Sequence, residues 1–292
     1  MTGPPAHEVP VEQARAGHEA ETKHLSGPGE PVAEVRELEI PAPSCAIPAR
    51  LYRPRETDGP LPLVVYLHGG GWMFGSIESF DTVVRALANR SGAIVVSVGY
   101  RLAPEAPFPA GLEDCLCAVR WLAANAAALG ADPERMAIAG DSAGGNLATV
   151  VARRLRGEVP LRAQVLIYPV ADAGCNTASY RDFGEGHGLT AASMQRFWNV
   201  YLDGSDGMDP DASPLRADDL EGSPPAFVLT AGFDPLRDEG EAYAEALRDA
   251  GVEVQLRRYD GAIHGFWRWL AVARLSHRAV DEVAAALRAR LA

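Results

Sequence analysis

The chain has 292 residues, 47% of them hydrophobic and 23% charged, with a formal net charge of −12. That length supports either two domains or one α/β domain carrying a lid, and the composition is that of a globular protein with a large core. The acidic balance opposes long-range attraction to nucleic acid or to an anionic membrane surface and favours solubility.

Four cysteines, Cys45, Cys115, Cys117 and Cys175, form no CxxC pair and have no histidine at zinc-ligand spacing. Neither a disulfide framework nor a structural zinc is expected, and reduced thiols fit a cytoplasmic protein. Residues 1–31 are polar and acidic, so neither a signal peptide nor a membrane span is expected there, and no stable membrane association.

In chain order, Val11 to His24 is weakly helical between Pro10 and the Gly27-Pro28-Gly29 break, and reads as a mobile arm or as part of a lid. Val35–Ile40 alternates apolar and charged residues and Ala49–Arg53 is another short run, so both read as half-exposed antiparallel edge strands. Leu63–Leu67 is apolar throughout, which predicts a strand buried on both faces. It runs into His68-Gly69-Gly70-Gly71-Trp72. Three successive glycines cost entropy on folding, so their use points to backbone amides that must face one place, an oxyanion hole where a nucleophile stands beside them. Ala93–Val98 is a second buried strand leading to the proline-punctuated Tyr100-Arg-Leu-Ala-Pro-Glu105, and Glu113–Leu129 has helical spacing closed by Gly130.

The run Met136–Ala139 stops at Gly140-Asp141-Ser142-Ala143-Gly144, and small helix-compatible residues follow to Ala152. Read physically, that is strand, tight turn, helix. A serine on so sharp a turn is held exposed on a strained backbone, and glycines at minus two and plus two let neighbouring elements approach. Gln164–Tyr168 is a further strand. From Ala171 to about Pro224 the chain is rich in Gly, Asp, Ser and Pro, yet Met194, Phe197, Trp198, Tyr201 and Leu202 lie at helical spacing behind Thr190 as cap. An insertion of that length with one aromatic helix is expected to cover the carboxyl edge of the sheet, its aromatics serving lid packing. Ala226–Ala231 as strand, Leu236–Ala250 as helix, Val252–Tyr259 as strand and His277–Leu291 as helix complete the chain. Strands alternating with helices predict a mostly parallel sheet covered on both faces, with ligands at the carboxyl ends of the strands.

A serine hydroxyl needs a base, and the base needs an orienting acid. On a sheet of this kind they follow in the order Ser, Asp or Glu, His, each on a loop after a strand. Asp234 stands three residues beyond the strand ending at Ala231. Asp-Pro before a helix is also an ordinary cap, and Asp238, one turn into the helix, is the rival. His264 stands five residues beyond the strand ending at Tyr259, between Gly261 and Gly265; the other six histidines fall in the polar start, the glycine loop, the expected lid or the last helix.

Taken together, His68-Gly-Gly-Gly-Trp72, Tyr100-Arg-Leu-Ala-Pro-Glu105, Gly140-Asp-Ser-Ala-Gly-Gly-Asn146, Asp234-Pro-Leu-Arg-Asp238 and His264-Gly-Phe266 resemble the hormone-sensitive-lipase-like esterases, a branch of the α/β-hydrolase family. The resemblance covers most of the chain from about residue 60 to 266. It implies an α/β-hydrolase fold: a catalytic domain over 46–292 with a lid insertion at about 171–224, and residues 1–45 as the amino-terminal part of the lid. It further implies Ser142 as nucleophile, Asp234 and His264 as its partners, and the amides of Gly70, Gly71 and Ala143 as the oxyanion hole. The expected reaction is hydrolysis of a small-molecule, short-chain ester through an acyl-enzyme, with no cofactor and no metal. An amidase or deacetylase with the same triad, or a non-catalytic receptor on the same scaffold, is the alternative. An exposed last helix and edge strand leave a homodimer open.

Overall fold

The computed structural model describes residues 9–43 and 45–292. Residues 1–8 of the expected amino-terminal lid, and Ser44, lie outside the described residues. Eight strands make one sheet: β1 (Glu34–Ile40), β2 (Ile47–Arg53), β3 (Leu61–Leu67), β4 (Ile94–Val98), β5 (Ala131–Asp141), β6 (Leu161–Ile167), β7 (Ala226–Phe233) and β8 (Val254–Ile263). Their order is β1-β2-β4-β3-β5-β6-β7-β8. The pairs β1–β2 and β2–β4 are antiparallel and all others parallel. β2 is therefore bonded on both sides and is no edge strand; β1 takes that place, which is why Ala49 and Leu51 are buried.

Side chains alternate across β3, so Leu63, Val65 and Leu67 enter one core while Val64 and Tyr66 enter the other. The first core is closed by α3 (Ala110–Asn125), α4 (Ala143–Arg154) and α7 (Arg237–Asp249), and the second by α2 (Ile77–Ser91) and α8 (Arg274–Leu291). Helix α2 is not among the elements expected from sequence, although Phe80, Val83, Val84 and Leu87 have the spacing of a buried helical stripe and Ser76 caps it through the Ser79 amide.

Two helices, α5 (Ala178–Phe183) and α6 (Ala191–Leu202), lie between β6 and β7. Thr190 caps α6 as expected, its hydroxyl accepting from Ser193 N at 3.0 Å. The buried side of α6 packs on the loop after β3: Trp72 stacks on Tyr201, ring centroids 4.2 Å apart, and sits 4.6 Å from Trp198. Helix α1 (Val11–Ser26) packs against α2.

Candidate active site

Ser142 follows the last residue of β5 and precedes the first of α4. Its backbone sits at φ 55°, ψ −120°, held there by its amide donating to Ile167 O and its carbonyl accepting from Asn146 N, each at 2.9 Å. The turn is tight enough that a Cβ on Gly144 would stand 2.0 Å from the Leu67 carbonyl oxygen, so only glycine lets α4 pass β3 so closely.

Asp234 comes directly after β7 and His264 directly after β8. Both strands run two to four residues further than the apolar pattern, so the two side chains leave the sheet at its carboxyl rim beside Ser142. His264 Nε2 lies 2.9 Å from Ser142 Oγ, and its Nδ1 lies 2.7 Å from Asp234 Oδ2. A carboxylate only accepts, so Nδ1 carries the proton and the Nε2 lone pair faces the serine hydroxyl. Asp234 is fully buried, and its other oxygen accepts from Leu236 N at 2.9 Å. It thus serves both as the turn-forming aspartate and as the imidazole's partner. The rival Asp238 accepts instead from Ser179 N and pairs with Arg237, joining α5 to α7.

The loop after β3 turns back at Gly70, whose carbonyl accepts from Met73 and Phe74 amides at 3.1 and 2.9 Å. Gly70 takes φ +125°, and a Cβ there would meet Phe74 O at 2.3 Å. Ala143 opens α4, where a helix amide has no intrahelical acceptor and the helix dipole is positive. Gly70, Gly71 and Ala143 are therefore brought to one region, because Gly144 abuts the Leu67 and His68 carbonyls.

Several residues that organise this region were given no role of their own from sequence. Asp141, buried beside Ser142, accepts from Gly69 N at 2.9 Å and from Tyr66 Oη at 2.8 Å, while Trp267 Nε1 donates to Tyr66 Oη at 3.0 Å. One carboxylate thus ties the serine turn, the glycine loop and the histidine loop together; burial pushes its pKa up, against the pull of Arg268 and its two donors. Its place inside the serine pentapeptide was the available signal. His68 is buried, stacks on Tyr100 at 4.5 Å and approaches Gly69 O through Nδ1 at 2.9 Å. Burial pushes it down to about 4, so it is a neutral donor near pH 7 and shapes the loop. The Tyr168 ring lies 4.4 Å from the His264 ring, on a backbone at φ 36°. Among the described residues no group of three or more His, Cys, Asp or Glu side chains is arranged to hold a metal ion.

A serine, a histidine and a buried aspartate in hydrogen-bonded line at the carboxyl rim of a mostly parallel sheet, beside a glycine loop, form the architecture of a serine hydrolase. Comparison with known proteins agrees at the level of family. The alpha/beta hydrolase fold family matches residues 64–268. The chain is 39% identical to ethyl acetate hydrolase of Pseudomonas putida, over 98% of this chain and 92% of that one. It is 43% identical to carboxylesterase NlhH of Mycobacterium tuberculosis, over 84% of this chain and 79% of that one. Among solved structures, EstE1, a thermophilic carboxylesterase cloned from a metagenomic library, superposes with a TM-score of 0.94 at 43% identity, covering 98% of this chain and 99% of that one. The chain belongs to the α/β-hydrolase family, in its hormone-sensitive-lipase-like branch.

Proposed function

We propose that this protein hydrolyses short-chain carboxylic esters, with Ser142 as nucleophile, His264 as general base and acid, and Asp234 as the acid that orients it. The carrying observation is the unbroken line from Asp234 Oδ2 through both imidazole nitrogens to Ser142 Oγ, with contacts of 2.7 and 2.9 Å. Ser142 Oγ attacks the ester carbonyl carbon while His264 Nε2 takes its proton, and Asp234 stabilises the imidazolium. The oxyanion is met by the amides of Gly70, Gly71 and Ala143. The intermediate collapses as His264 returns the proton to the departing alcohol, leaving an acyl-enzyme; water, activated by the same histidine, then releases the acid and restores the serine.

A small acyl group is favoured by the aromatic cover over the glycine loop, where Phe197 lies on Gly71 and Trp72 on Tyr201, and by the relative named for ethyl acetate. Within this reading residues 46–292 are the catalytic domain, and the segment 171–224 with the amino-terminal residues forms the lid. Among the described residues no helix is long and apolar enough to cross a membrane, and the four cysteines are unpaired; we infer a cytoplasmic setting from the latter. The outer edge of β8 and the adjacent α8 are the faces we assign to a homodimer, which sedimentation of the purified chain tests.

A panel of p-nitrophenyl esters of rising chain length tests the activity, with rates highest at the short end. Ser142→Ala should reduce turnover on the order of 10⁶-fold and abolish labelling by a fluorophosphonate. Undiminished turnover in that variant overturns the assignment.

A further inference from the structure

We propose that α1 is a strut between the oxyanion loop and the histidine loop, with Arg15 and His18, three residues apart on it, as positioning residues for the hydrolysis described above. The inference rests on that reading of the site.

Arg15 meets the oxyanion side. Its Nε donates to Met73 O at 2.8 Å and its Nη2 to Ala103 O at 2.9 Å, while Nη1 and Nη2 fork onto the Glu105 carboxylate at 2.7 Å each. Met73 O belongs to the turn that presents Gly70 and Gly71, its own amide closing onto Gly70 O, and Ala103 O belongs to the loop after β4 that braces this turn, its own amide donating to Trp72 O at 2.9 Å. One planar guanidinium therefore fixes two backbone segments and a carboxylate at once, a task beyond the point charge of a lysine. The Arg15 guanidinium holds Glu105 down at about 2, so the pair stays charged well into acid.

His18 meets both sides. Its ring packs on Phe74 at 5.8 Å, and Phe74 packs edge-on against Phe197 at 5.4 Å. The Phe197 ring in turn covers Gly71 so closely that a Cβ there would stand 2.6 Å from it. On the other side, His18 Nε2 accepts from Arg268 Nη1 at 2.7 Å, four residues after His264. Burial and the facing Arg268 push the His18 pKa well down, which keeps the ring neutral and able to accept. Two further bonds anchor the same loop to the end of α1: Ser26 Oγ donates to Arg268 O at 2.8 Å, and Ala271 N donates to Leu25 O at 3.0 Å.

Core building does not explain these contacts. Only Ala14, Thr22 and Ser26 of α1 are buried, so the helix removes little apolar surface from water. Its specific bonds are instead gathered on the two loops whose spacing sets the distance from base to oxyanion donors. Reacting groups misplaced by about 1 Å cost up to about 10²-fold in rate.

The test compares Arg15→Ala, Arg15→Lys, His18→Phe and His18→Gln with the parent and with Glu12→Ala, an exposed site on the same helix. Active serines are titrated with a fluorophosphonate, so that kcat is read per competent site, and melting temperature is recorded alongside. Arg15→Ala should lower kcat per titrated site about tenfold or more, leave KM within about twofold, and slow fluorophosphonate labelling by the same factor. Arg15→Lys should recover only part of the loss. His18→Gln, which keeps an acceptor for Arg268, should outperform His18→Phe, and Glu12→Ala should match the parent. Should Arg15→Ala fail to fold, Glu105→Gln, which loosens the same fork, carries the comparison. Parent-like kcat per titrated site in both Arg15→Ala and His18→Phe overturns the strut, as does a loss confined to melting temperature. An inactive parent chain would instead sink the hydrolase reading, so the two failures are distinguishable.

Discussion

A buried aspartate such as Asp234 is shielded from water and held only by what it touches: one oxygen serves the Leu236 amide and the other the His264 ring. An amide in its place would offer a donor or a weaker acceptor to Nδ1 and favour the wrong tautomer. Asp234→Asn should therefore lower kcat about 10⁴-fold with little loss of binding, whereas Asp238→Asn should leave kcat near parental while loosening the bond to Ser179. Steady-state kinetics of the two variants check this, and equal losses would reverse the choice between the aspartates. At this scale the sequence was informative where a residue sits between glycines or beside a strand end, as Ser142, Asp234 and His264 do. It assigned no role to Asp141, His68 and Tyr168, the first two of which it placed in motifs, because their roles come from partners 72, 32 and 96 residues away.

Strand and helix boundaries were legible as far as hydrophobicity reached, and no further. β7 and β8 continue through Gly232 and through Asp260-Gly261, residues that read as loop in sequence. They pair nonetheless because Gly232 lets the neighbouring backbone approach until a Cβ would stand 2.3 Å from Asp260 O. Helix α6 shows the opposite case, a boundary set by one side chain. Thr190 satisfies the Ser193 amide, and its loss leaves that donor to water. Thr190→Ala should destabilise α6 by about 1 kcal/mol and raise the rate of limited proteolysis within 171–224, with an unchanged cleavage rate counting against the cap.

For the molecule as a whole, His68 contributes a loss of stability in acid. The unfolded chain binds a proton at His68 near the ordinary value of 6.5, whereas the folded protein resists until about 4. Between those values the unfolded state holds more protons, so stability falls as pH drops from 6.5 to 4, by about 3 kcal/mol from this group. His18, also pushed down, acts in the same direction. Urea unfolding at pH 7, 5.5 and 4 should show the decline, and His68→Asn should flatten it; an unchanged slope would assign the acid sensitivity elsewhere. The strand-helix alternation made a two-faced parallel sheet legible, but strand order and the placement of α1 were not, since both depend on contacts between distant parts of the polymer.

That distance has a consequence for biosynthesis. His18 and Arg268 are separated by 250 positions, and Ser26 and Arg268 by 242. During vectorial translation α1 leaves the ribosome before its anchor exists, and its end at Ser26 waits for the 242 residues that lead to Arg268. In the reading proposed above, the contacts that brace the site thus close only once the loop carrying His264 and Arg268 has been made, and a product cut short before that loop holds Ser142 without its base.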